Sequence, residues 1–113
     1  MLDHHRLDVY RHSLDLIAAV DSLSGRMPKG RSHLRDQLDR AATSITLNIA
    51  EGAGEFSKDE KQRFYRIARR SAIEVAAVLD IVERWRVFED DELKPVRDLI
   101  VRIVSMLVRL ISR

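Results

Sequence analysis

Apolar residues recur at three- and four-residue steps along almost the whole chain, and this rhythm predicts four helices. In the first, Leu7, Tyr10, Leu14 and Ile17 form one face, while Val9, Leu16, Val20 and Leu23 form a second strip. This helix is expected to start between Asp3 and Leu7 and to end near Ser24, where Gly25, Pro28 and Lys29-Gly30 punctuate the chain. Ser32 suits the N-cap of a second helix, with Leu34, Leu38, Ala41, Ile45, Asn48 and Ile49 as its stripe. Gly52 and Gly54 are expected to stop it by adopting the left-handed conformation. Ser57-Lys58-Asp59-Glu60 reads as a capping box opening a third helix with no breaker until about Val87. Its stripe is Phe64, Ile67, Ala68, Ser71, Val75, Val78, Leu79, Val82 and Trp85. Glu89 through Glu92 places acids at the start of a fourth helix, with Pro95 expected in the first turn. Val96, Leu99, Ile100, Ile103, Leu107 and Leu110 carry that stripe onward, and Arg109 and Arg113 suit its carbonyl end.

Four antiparallel helices on short loops define an all-α, up-and-down four-helix bundle, a single domain spanning 1–113. No alternating run suits a strand. At 45% hydrophobic and 34% charged, the chain is too apolar for disorder. It has no cysteine, which removes disulfides and thiolate chemistry. The opening residues lack a signal-peptide core, and every apolar run is broken by Arg or Asp well short of a membrane span. A cytoplasmic protein without membrane contact is expected. The formal charge is only +2, near balance, and the Arg-rich pI of about 9.3 is permissive for nucleic-acid binding without demonstrating it.

The fourth helix also carries Val101, Val104, Val108 and Ile111, wrapping apolar surface around most of the rod. A bundle helix needs a stripe only a little over ~100° wide. The excess, with the second strip of the first helix, implies a closed homo-oligomer in which helices one and four provide the contact faces.

Chemistry-bearing residues are sparse. Asn48 sits on an apolar stripe, as a recognition residue or as a buried device fixing helix register. Its polar partners would be Ser44, Ser71 and Glu74. Glu51 and Glu74 could split their pKa values as an acid–base pair, but no nucleophile, histidine or metal set joins them. Salt bridges to Arg40 or Arg69 explain them more simply. His4, His5, His12 and His33 form no metal-binding pattern and read as solvated surface. Neither a metal nor a cofactor is expected. Glu51-Gly52-Ala53-Gly54-Glu55 lacks phosphate-loop spacing and reads as an inter-helix turn. Lys61, Arg63, Arg66, Arg69 and Arg70 form the concentrated basic stretch. It is either a solvated face paired with nearby acids or a phosphate-contacting surface that oligomerisation would multiply.

Met27-Pro28-Lys29-Gly30, Gln37 through Ile45 and Asn48-Ile49-Ala50-Glu51-Gly52 together resemble the small bacterial proteins encoded in intervening sequences of large-subunit ribosomal RNA genes. Phe64, Ile67 through Ser71 and Glu74 are similar to that family's second signature, and Leu7-Asp8-Val9-Tyr10 to its opening. Thr46 stands where the family often has Pro, so a straighter helix is expected there, and Leu47 replaces a small polar residue. The resemblance implies a four-helix bundle assembled as a ring, commonly a pentamer, with no enzymatic activity. Accessory proteins of diversity-generating retroelements are similar. They are basic pentamers that engage reverse transcriptase and nucleic acid.

The combined reading is a non-enzymatic, self-assembling protein that binds RNA or DNA through Arg63, Arg66, Arg69 and Arg70. The alternative is a scaffold that binds a protein partner and ignores nucleic acid. Ser44, Asn48, Glu51, Ser71 and Glu74 are expected to hold the bundle in register.

Overall fold

A computed structural model describes all residues 1–113. After a 3-10 turn at Asp3–Arg6 come four helices: α1 (Asp8–Ser24), α2 (Ser32–Gly54), α3 (Lys58–Arg84) and α4 (Asp90–Ser112). No strand is present. Each helix packs on its two neighbours around a square, α1 on α2 and α4, α3 on α2 and α4, with no contact across either diagonal. The rod measures 44 × 22 × 20 Å. One continuous core runs along its axis, with Leu16, Leu38, Ile45, Ile49, Leu79, Leu93, Ile103 and Leu107 sealed from solvent. Each such side chain contributes roughly 1.5–3 kcal/mol by leaving water.

The second strip of α1 faces this core, not the first. Val9, Leu16, Val20 and Leu23 are buried, whereas Tyr10 and Ile17 pack at the margin and Leu14 is exposed. Both strips fit a helical period, and the partners decide which points inward. In α3 the expected stripe is displaced at both ends: Tyr65 is buried, Phe64 and Ile67 are half-buried, and Trp85 lies outside under the Arg31 guanidinium at 4.0 Å.

Helix ends also depart from expectation in chemistry. Ser57 Oγ accepts from the Glu60 amide at 3.2 Å, but Glu60 turns to Arg63 instead of closing the box. Ser32 is the first residue of α2 and caps nothing with its side chain. No glycine adopts positive φ; the left-handed residue is Arg86 at φ 56°, just after α3. There the Val87 amide reaches back to Val82 O at 2.9 Å, closing α3 earlier than Val87. Pro95 falls in the second turn of α4, not the first, and its missing amide leaves the Asp91 carbonyl without a helical donor at an exposed position. The Glu89 amide donates to Glu92 Oε1 at 3.0 Å, closing the start of α4.

Exposed large apolar residues concentrate away from α1, which contributes only Leu14. Ile73, Ile81, Val101 and Val108 lie on α3 and α4. The antiparallel register fixed by Arg97 with Asp80 and Glu83, and by Gln62 with the Ile111 carbonyl, runs Val101 and Val108 alongside the turns of α3 that carry Ile73 and Arg69.

Candidate nucleic-acid interface

The basic stretch of α3 separates into three chemically distinct parts. Lys61 turns inward: its Nζ donates to Ala53 O at 2.9 Å and Gly52 O at 3.3 Å, tying off the last carbonyls of α2. Arg63 is engaged one turn back, donating to both Glu60 carboxylate oxygens at 3.1–3.3 Å while its guanidinium lies 4.5 Å from the Phe64 ring. The hydrogen bond and charge of Glu60 raise the Arg63 pKa. Arg66, Arg69 and Arg70 are exposed and make no ion pair or side-chain hydrogen bond. Elsewhere carboxylates pair with Arg11, Arg26, Arg40, Lys94 and Arg97. The three α3 arginines therefore keep their full donor capacity for an external anion. Arg66 and Arg70, four residues apart, share a face, and Arg69 is rotated toward α4.

The polar residues of the α2–α3 seam split in a similar way. Asn48 Nδ2 donates to the Ser44 carbonyl at 2.8 Å and to Ser44 Oγ at 3.1 Å. Ser71 Oγ donates across the bundle to Ser44 Oγ at 2.9 Å. Ser44 thus joins the two helices, and Asn48 braces it. Glu74 stands 3.6 Å from Arg40, a partly exposed cross-helix pair. Glu51 is exposed and lies apart from Glu74, sharing a shallow hollow with His4 and Glu55. The two carboxylates do not share one cleft, so the arrangement provides no acid–base pair. A second seam link escaped the sequence reading: Thr46 Oγ1 donates to Ser13 Oγ at 3.0 Å, and Ser13 Oγ to Tyr10 O at 2.6 Å. The signal was present, since Ser13 falls in step between Val9 and Leu16.

Among the histidines, His4 and His5 pack with Tyr10, ring centroids 4.2–5.9 Å apart, instead of standing free in solvent. No cluster of three or more His, Cys, Asp or Glu side chains is placed to hold a metal ion. No helix is long and apolar enough to cross a membrane.

Fold and surface together define an all-α, up-and-down four-helix-bundle protein with a stretch of uncompensated arginines on its third helix. The chain belongs to the 23S rRNA-intervening sequence protein family, whose model matches residues 5–109. A solved structure from Bacteroides thetaiotaomicron VPI-5482, described as a protein with unknown function from the S23 ribosomal protein family, superposes with a TM-score of 0.86. It is 20% identical, and the match covers 93% of this chain and 96% of that one. At that identity the likeness concerns the fold. No curated protein gives a significant match.

Proposed function

We propose that this protein is a non-enzymatic nucleic-acid accessory that contacts phosphates through Arg66, Arg69 and Arg70, with Arg63 at the edge of the same surface. The carrying observation is that these three exposed arginines crowd one short stretch of α3 and have no carboxylate partner, so their guanidiniums are free together on one surface. Free guanidiniums at helical spacing match phosphate spacing loosely, which favours backbone contact over base reading. The family to which the chain belongs agrees with a nucleic-acid setting. Self-association is a further part of the same proposal. Covering Ile73, Val101 and Val108 with further copies would close a ring, a pentamer by family resemblance, and repeat the arginine face around it.

The test is a salt titration of binding to mixed RNA and DNA. Affinity is expected to fall steeply as salt rises, with a log–log slope shallower by roughly 0.7–0.9 for each phosphate contact removed in R66A, R69A and R70A. Salt-independent binding, or a triple variant that binds like the parent, would overturn the reading.

One observation favours a second reading. The same exposed apolar residues could receive a different protein, a reverse transcriptase or another partner, making the bundle a scaffold. That protein would bind its partner and ignore RNA at physiological salt.

A further inference from the structure

At the end of the bundle where α1 and α3 begin and α2 and α4 finish, two contiguous hollows of about 350 and 270 Å³ share Leu7, Leu110 and Arg113 as a common wall. The larger is also lined by Lys58, Lys61, Gln62 and Tyr65, and contains no acidic side chain. The smaller adds Arg6 and Arg109, and its one carboxylate, Asp8, is taken by Arg11. These cations come from positions as far apart as residue 6 and residue 113, so only the fold assembles them.

Two details give the cleft a chemical direction. Tyr65 is 5% exposed, yet its hydroxyl makes no hydrogen bond with the protein, and no fully buried side-chain oxygen in the molecule lacks a partner. The hydroxyl must therefore open onto the cleft as an available donor. Burial pushes its pKa up, and Arg113 opposes that shift, which places the guanidinium within electrostatic reach of the phenol. Lys58 is the first residue of α3, at the positive end of the helix dipole, and no acid or hydrogen bond compensates it. A cation there is unfavourable for the isolated helix. Binding an anion would reverse that penalty.

We propose that this bundle-end cleft binds a phosphate monoester, with Lys58 and Arg113 neutralising the phosphate, Tyr65 donating to it, Arg6 and Arg109 at the adjoining rim, and the organic part resting on Leu7 and Leu110. A doubly charged group suits several converging monocations better than a carboxylate does, and the apolar wall excludes competing water. The hollow is larger than phosphate alone, leaving room for an attached group. The source is either the phosphorylated end of a nucleic-acid strand or a small phosphorylated molecule. The site does not use Arg66, Arg69 or Arg70 and stands independently of the interface above.

The experiment is an NMR titration of the isotopically labelled full chain with inorganic phosphate, against chloride at matched ionic strength. Saturable shifts are expected at Lys58, Lys61 and Tyr65. Lys58→Ala and Arg113→Ala should each weaken binding roughly tenfold, the loss typical of one charge-assisted hydrogen bond. Tyr65→Phe, which keeps the packed ring, should weaken it several-fold. Lys58→Ala should melt no lower than the parent, which separates binding from folding. A variant lacking Arg66, Arg69 and Arg70 should bind phosphate unchanged. Comparing a 5′-phosphorylated oligonucleotide, its dephosphorylated twin and a nucleoside 5′-monophosphate assigns the source. Preference for the phosphorylated strand points to a strand end, and equal affinity for the monophosphate to a small molecule. No saturation, shifts centred on Arg66 to Arg70, or Lys58→Ala binding like the parent would overturn the proposal.

Discussion

The Tyr65 ring lies against the bare α-carbon of Gly52. A Cβ built at Gly52 would stand 2.7 Å from Tyr65 Cε1 and 2.9 Å from Cδ1, with the Lys61 carbonyl at 3.2 Å. The glycine near the end of α2 therefore serves close approach between helices, and its backbone is ordinary helix. It admits a bulky ring at the seam, and Lys61 then caps the same helix end over it.

This contact sets two glycine substitutions against each other. Within a helix, Gly→Ala gains about 0.5–1 kcal/mol from backbone entropy. At Gly52 that gain is outweighed, since neither the wedged ring nor the Lys61 backbone can move cheaply. Gly52→Ala is expected to lose about 1–3 kcal/mol net. Gly54, with nothing within 4 Å of its would-be Cβ, should gain the propensity term. Urea denaturation of both variants checks the pair, and equal effects would refute the close-approach role.

The Ser71–Ser44 hydrogen bond joins two partly buried hydroxyls across the middle of the α2–α3 seam, and Asn48 holds the acceptor in place. A double-mutant cycle with Ser44→Ala and Ser71→Ala should return a coupling of about 0.5–1.5 kcal/mol. Asn48→Leu should keep the helical fold and weaken that coupling. Zero coupling would mean that this hydroxyl pair does not help to set the seam.

Glu92 links α4 to the α1–α2 corner. Its pKa is held below the ordinary value of 4.5, first by the hydrogen bond from the Glu89 amide and then by Arg26. A depressed folded-state pKa means that the unfolded chain binds the proton more readily. The contribution is thus fully present above about pH 4.5 and is lost as pH falls through the lower folded value. Glu92→Gln should lie below the parent in stability at neutral pH and converge with it in acid. A gap that is constant with pH, measured by denaturation from pH 7 to 2.5, would rule out this charge effect.

Val101, 66% exposed on α4, is the natural position for testing self-association. Val101→Asp should change intrinsic stability by no more than about 0.5 kcal/mol, because the site is already wet in a single subunit. If copies meet there, the variant should fall to monomer mass by light scattering while the parent remains larger. A monomeric parent at high concentration would remove the assembly proposal and the repeated cationic face with it.

Much of the fold was legible because helix formation is local. Spacing, caps and breakers placed four helices with ends within a few residues of those observed, and acids at residues 89–92 marked the start of α4. The Ser44–Asn48–Ser71 grouping was also legible, since Asn48 and Ser71 interrupted two apolar stripes and Ser44 lies one helical turn before Asn48. The α3 arginines were visible as a stretch, but not their division. Whether Lys61 caps a neighbouring helix or meets solvent depends on where Gly52 and Ala53 lie in space.

The sequence by itself determined an all-α chain of four amphipathic helices in up-and-down order, because a 3.6-residue period and terminal capping need only near neighbours. Tertiary structure decided which strip of α1 faces inward, that Tyr65 is buried against Gly52, and that Arg6, Lys58, Arg109 and Arg113 meet at one end. A helix with apolar residues on more than one side has several burial orientations of similar energy, and only the shapes of its partners choose among them. Charges from opposite ends of a chain become one site only when antiparallel packing returns those ends to the same place.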